Sequence, residues 1–584
     1  MKRYITTLIA ICAVALLASA QVVKQVEVTK EYAPEIGEAR KMDVAPNRVD
    51  TITLRPEIDY SITPRSFASA LGTHRFNPAT VTYWEYNRNY PFYLKIGAGY
   101  PLNTVGDLYA TAHRADVGYI TGYINHYGQY SKLKYEDGIG GKVYKDNPAT
   151  KMSNKFGVMG GKYFGRYTLA GDIYYRMDQY QRYPLHNIYN EDGTPILEYT
   201  RRKIASDDVK LAVSFGDSFA DYSHLNFKVY ATADLFNDKS KNFIEDDKYQ
   251  QMNVEAGAAV AREITKRSAF SVNLDYKGYY GMRSLKSYEN SVVGATLMYR
   301  YRSGGLIDVN VGAEVLYDHN PADVQKQHRV HAFPYLALSL NINDKGTFVP
   351  YVEVDGELQN NSYHSLVRRN PYVAILGGGN GSLSTNAVLP NSELYNVRFG
   401  VSGHTADSKF AYRVYTNMSF MTNALYWYNI NQLFFAAESA KRNIWSLCGA
   451  VDYKPISQLL LTAQVKGSLY TSFAEVQNAL PPVEAQLKVR YNHKKFTLGL
   501  SADLYGPTKW TCIQNTQIFS ENSEGVFEAP TSLDLSLYGD WRVGKACILF
   551  LEGNNLLGDV MPTYRWAFYR EMGASFTVGV KVQF

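Results

Sequence analysis

The chain has 584 residues and a net charge of +6, with 14% aromatic and 20% charged residues, Tyr 49 and Gly 44. A chain this rich in aromatics is not disordered, and beyond its N-terminus no apolar run of about 18 residues marks a membrane helix. The basic excess is scattered rather than gathered into a phosphate-tracking tract, which excludes nucleic acid as a partner.

In chain order, Lys2 and Arg3 precede an apolar run from Ile5 to Leu17, and Ala18-Ser19-Ala20 closes it. This pattern predicts a secretory signal peptide over 1–20, with the mature chain starting near Gln21. Cys12 follows Ile11 rather than a small residue, so a lipoprotein anchor is not expected. Cys448, Cys512 and Cys547 are too widely spaced for a disulfide framework or a zinc pattern. Residues 21–88 carry charges and the breaks Ala45-Pro46, Arg55-Pro56 and Thr63-Pro64. They read as extended periplasmic polypeptide, which either folds partway into a lumen as a stopper or binds a periplasmic partner.

From 89 to 584 the dominant signal is period-2 alternation. Val309, Val311, Ala313 and Val315 oppose Asp308, Asn310, Gly312 and Glu314. Val483, Ala485, Leu487 and Val489 oppose Glu484, Gln486, Lys488 and Arg490, and Leu498, Leu500 and Ala502 oppose Thr497, Gly499 and Ser501. A soluble sandwich would bury each apolar face. So many faces with almost no intervening helix exceed what one core holds. An all-β transmembrane antiparallel barrel turns the pattern outward, with apolar residues against outer-membrane lipid and polar residues toward a lumen.

The strands expected are 93–100, 105–112, 116–129, 153–163, 166–177, 206–216, 223–236, 250–264, 268–281, 291–302 and 305–318. They continue with 331–342, 346–359, 392–403, 408–420, 444–454, 458–471, 482–492, 495–506, 531–542, 545–555 and 573–584. That makes about 22 strands. Short turns such as Phe164-Gly165, Ser303-Gly304, His493-Lys494 and Val543-Gly544 alternate with long connections at 130–152, 178–205, 360–391, 421–443 and 507–530. Long loops outside and short turns in the periplasm then place both ends of the barrel segment in the periplasm. A further strand near 81–85 would upset that parity.

The lumen face is expected to carry Arg300, Arg302, Asp308, Glu314, Glu484, Lys488, Arg490, Asp503, Asp534 and Glu552, as a paired, solvated wall or as a charged path selecting solutes. The outer loops hold Tyr426-Trp427-Tyr428 and Phe434-Phe435. These either stack on sugars or a partner, or pack loop against loop. The glycine-rich 377–382 lacks the GK[ST] of a phosphate loop. Asp238, Glu245, Asp246 and Asp247 lack EF-hand spacing. There is no HExxH or GxSxG, and His364 beside Ser362 and Ser365 is the sole local hint of a Ser/His pair.

Gly553-Asn554-Asn555-Leu556-Leu557-Gly558, followed by 573–584 ending in Phe584, resembles the closing segment of TonB-dependent receptor barrels. Glu571-Met572-Gly573 stands where that pattern has proline, glycine and arginine. Asn370-Pro371-Tyr372 with Leu389-Pro390-Asn391-Ser392-Glu393 is similar to a mid-barrel feature of the same receptors. The alternating final strand resembles an insertion signal of outer-membrane barrels, and the chain is similar in style to Bacteroidota outer-membrane proteins of Gram-negative cells. The resemblance implies transport of a solute across the outer membrane.

Such receptors carry a plug, and 21–88 shows no plug-like pattern. Val26-Glu27-Val28-Thr29 resembles a TonB box at four residues of a common kind, and without a plug TonB has no evident gate to pull. The alternative is a non-transporting scaffold or assembly component of an outer-membrane complex. No catalytic residue, cofactor or metal is expected, and the substrate is not legible.

Overall fold

The computed structural model describes residues 91–584 apart from 137–142, 183–202, 220–222, 241–247, 287, 304–305, 321–325, 343–345, 374–388, 431–433, 473–478 and 515–522. The expectations for 1–20, 21–88, 26–29, 81–85, 245–247 and 377–382 lie outside the described residues.

Among the described residues, 24 strands share one sheet, and 22 of them close antiparallel into a barrel. The other two, Thr508–Gln514 and Ser523–Ala529, form a hairpin joined to the barrel sheet through the parallel pairs Asn429–Cys512 and Ile430–Ile513. Closure comes from the first barrel strand, Phe92–Tyr100, pairing along its length with the last, Ser575–Gln583. The Phe92 and Phe584 rings stack at 4.8 Å across that seam.

All the expected strands are present, with ends shifted by a few residues except in 408–420 and 444–454, which run ten residues further at their outer ends. Alternation sets which face each residue takes, because successive side chains of a strand point to opposite sides. Leu297 is 50% exposed and Val578 is 62% exposed on the outward face, whereas inward-pointing Asn290 is fully buried. Outward Val293, Val311, Val315, Leu487, Leu498 and Leu537 extend the apolar surface around the barrel. A water-facing surface of that composition would drive association; against lipid it is the stable arrangement.

The connections at one end are tight. Gly165-Arg166 joins Lys151–Phe164 to Tyr167–Gln181, and Gly165 sits at φ 63°, a left-handed conformation that strains other residues. The opposite end carries the long connections. Several of these carry structure of their own, and the connection at 421–443 departs furthest from expectation. Residues 421–443 are not a loop: the strands run on as Phe410–Ile430 and Phe434–Ile456, a hairpin standing above the barrel. A register shift between Met421 and Ala424, with Asn423 at φ 55°, breaks the alternation. A β-bulge of this kind reverses which residues face inward, so a period-2 reading stops there although the strand continues.

Candidate functional site: a roofed lumen

Several inward charges are held in ion pairs. Lys95 donates to Glu552 at 2.9 Å, Lys466 to Glu484 at 2.8 Å and Lys581 to Asp540 at 2.7 Å. Arg398 reaches Glu353 at 3.1 Å and Asp355 at 2.7 Å. Gln486 donates to Asp503, Ser536 to Asp534 at 2.9 Å, and Arg490 to Asn492 at 3.2 Å. Arg300, Arg302, Asp308, Glu314 and Lys488 lie at inward ladder positions on the same wall. Every charge assigned to the lumen from the sequence therefore sits on the inward face, and among them Glu552 and Glu484 are neutralised by Lys95 and Lys466.

Above this wall the long connections fold inward. Residues 360–373, expected as part of an outer loop, contain the helix Tyr363–Arg369. Ser362 caps it by accepting the Ser365 amide, and Arg368 and Arg369 occupy the last turn, where cations oppose the negative end of the helix dipole. Tyr363, Leu366 and Val367 share one face at i, i+3 and i+4. That face packs with Phe236 and Tyr249 from the barrel wall, with Leu285 from the turn after Ser268–Arg283, and with Leu425 and Ala437 from the tall hairpin.

The polar side of the helix is bolted to the wall. Arg368 pairs with both Asp178 and Asp208, which are buried, and Arg176 holds Asp178 at 3.0 Å. The Tyr363 hydroxyl donates to buried Asp238. The His364 ring stacks on Phe236 at 4.5 Å and meets Asn253 at 2.7 Å, while Arg368 donates to its Nε2 at 3.2 Å. Burial, and after it the nearby Arg176 and Lys210, lower the His364 imidazole to about 4, so it is neutral at physiological pH. Both ends of the segment are tied down by asparagines. Asn290 and Asn391 both donate to Asp318, at 2.6 Å and 2.9 Å, and Asn360 donates to Asn391 at 3.1 Å.

A second cluster completes the roof. Tyr372, Phe435, Trp510, Trp566 and Tyr569 come from four separate outer connections and pack together with Trp427 alongside. Tyr372 stacks on Tyr569 at 3.7 Å, and Trp566 meets Phe435 at 5.3 Å, Trp510 at 5.4 Å and Trp427 at 5.5 Å. Beside them Glu571 bonds Lys151 at 2.7 Å, with Arg565 at 3.9 Å. Burial alone would push the Glu571 carboxyl up; Lys151 and then Arg565 overcome it and hold it below the usual range.

These contacts decide two points that the sequence left open. Tyr426 and Phe435 are buried rather than displayed, because their hairpin leans into the roof, so these aromatics pack loop against loop. Ser362 and Ser365 spend their hydroxyls on the helix cap and on the Asn360 carbonyl, and His364 bonds neither, so no nucleophile–base pair forms. Asp238 is committed to Tyr363 and the Ser240 amide. Cys448, Cys512 and Cys547 are unpaired. Arg368, Asp178 and Asp208 were not singled out from the sequence. The spacing of Tyr363, Leu366 and Val367 after a Ser–x–x cap was the signal for the helix that carries Arg368.

No family model and no curated protein matches the chain. Solved structures match its fold. The ferripyoverdine receptor of the Pseudomonas aeruginosa outer membrane, bound to ferripyoverdine, is 10% identical with TM-score 0.58, over 85% of this chain and 72% of that one. The FrpB iron transporter from Neisseria meningitidis is 10% identical with TM-score 0.62, over 85% and 82%. A copper transporter, OprC, is 13% identical with TM-score 0.58, over 84% and 80%. At such identity the likeness is one of fold.

Proposed function

We propose that this chain is an outer-membrane barrel that passes a solute, of the TonB-dependent receptor type, and that its roof is the gate. The observation that carries this is the inward-folded roof over a closed barrel of 22 strands. A barrel of that size encloses a lumen wider than wall side chains can fill. Such a barrel must be stopped, and a stop made of loop contacts can be exchanged for contacts with an arriving ligand. The proteins of matching fold named as receptors and transporters support the same reading. Catalysis has no place in it.

The proposal extends to the remaining parts of the chain. Residues 1–20 direct export, 21–88 lie in the periplasm and engage a partner there, and no plug of the usual kind is built from them. The style of the chain points to a Bacteroidota-type protein.

Planar-bilayer conductance tests this. The full chain is expected to be closed at rest and to conduct when the roof is loosened by Arg368→Ala. No conductance in any state, including after removal of 21–88, overturns transport and leaves the scaffold reading, which a stoichiometric co-purifying protein would support.

A further inference from the structure

We propose that His319 and His328, with Tyr317 beside them, form a divalent transition-metal site on the outward face of the barrel rim. Strands Ile307–His319 and His328–Leu340 are antiparallel neighbours, and His319 and His328 are directly opposed on their last rung. Their rings stack with centroids 4.6 Å apart, and the two Nδ1 atoms are 3.1 Å apart. Tyr317 lies two residues back on the same face, with its hydroxyl 2.7 Å from His328 Nδ1. Three donor atoms thus converge at one point of the rim. This face is outward: Val330 is 71% exposed, whereas the adjacent Asp318 points inward and is buried. The site is therefore separate from the lumen and does not depend on the transport reading.

The geometry suits a metal better than protons. Two imidazole nitrogens this close repel if both rings are charged, and the Tyr317 hydroxyl can donate to only one of them. On a tetrahedral ion with bonds of about 2.0–2.1 Å, two nitrogens stand about 3.3–3.4 Å apart. The observed spacing differs from that by a few tenths of an ångström. As stacked, the two lone pairs run side by side. Turning one imidazole about its Cβ–Cγ bond, a soft torsion, aims both at one point. The strand ladder already fixes the backbone, so binding orders little beyond side chains. Imidazole and phenol donors favour Cu²⁺, Ni²⁺ and Zn²⁺ over Ca²⁺ or Mg²⁺, with Cu²⁺ held most tightly, and water fills the remaining positions.

The test uses the full chain in detergent without an affinity tag, titrated with Cu²⁺ and followed by calorimetry and electron paramagnetic resonance. The parent is expected to show a stoichiometric Cu²⁺ signal with two coupled nitrogens. His319→Ala and His328→Ala should each weaken this site by at least about tenfold, the order seen on losing even a supporting group at a metal centre. Both side chains face outward at the rim, so the variants should keep the parent's circular dichroism. Equal affinity and an identical spectrum in the parent and the double variant overturn the proposal.

Discussion

The barrel wall and its roof are built on different principles. In the wall each residue answers to neighbours a few positions away and to the strand alongside, so Leu297 faces outward and Thr296 inward by alternation alone. In the roof, Tyr372, Phe435, Trp510 and Trp566 meet from points far apart in the chain, and Arg368 reaches Asp178 from 190 positions away. The wall is redundant, many weak rungs in series. The roof is concentrated in a few buried contacts, the arrangement expected of a part that has two positions.

If the two regions are separable, single changes should strike one and spare the other. The largest effect is expected for Arg368→Ala, which strips Asp208 of its cation, leaving the neutral His364 ring 3.5 Å away, and weakens the hold on Asp178. An uncompensated buried charge costs about 3–5 kcal/mol. The closed roof should be lost, read as conductance and as a red shift of tryptophan emission, while heat-modifiable migration on gels shows an intact barrel. Leu297→Arg should act in reverse, costing the wall about 2–4 kcal/mol if Leu297 lies near the bilayer midplane. Thr296→Arg on the inward face should cost well under half of that, and folding into vesicles measures both. Tyr363→Phe leaves the Asp238 carboxylate short of a donor, worth about 1–3 kcal/mol of roof stability. It should appear as partial opening in the same conductance assay.

The smallest effect is one of pH. The His364 imidazole is depressed to about 4 in the closed roof, against an ordinary 6.5. The open form therefore binds more protons between those values. Closure is at full strength above pH 6.5 and weakens as pH falls toward 4, by about tenfold in the open–closed ratio at pH 5.5. Conductance recorded against pH should show this slope in the parent and a flatter one in His364→Gln. Equal slopes would remove His364 from the gate.

What was legible in the sequence follows the same division. The strand set, the inward charges and the alternation of short and long connections were readable because period 2 is a local property. At the bulge beside Asn423 that property fails, and there the strand reading ended early. The helix Tyr363–Arg369 has only seven residues, so its cap and its i, i+3, i+4 spacing give a weak signal within a loop. Nothing near Trp427 or Phe435 in the sequence indicates that Trp510 and Trp566 will lie against them. Asn391 stood out only through a resemblance, and its role as an anchor between Asn290, Asn360 and Asp318 comes from residues up to 101 positions away.

The seam between Phe92–Tyr100 and Ser575–Gln583 carries a consequence for how the molecule comes into being. Asn103 and Thr577, hydrogen-bonded at 2.7 Å, are 474 residues apart in the chain. Every other rung of the wall can form between consecutive hairpins, whereas this one must wait for nearly the whole polypeptide. Until then the sheet has two bare edges, each a template for pairing with another chain. Ring closure is thus the slow and vulnerable event, dominated by the search for a distant partner. A change that weakens Phe92 against Phe584 should cost little in the finished barrel and much in yield.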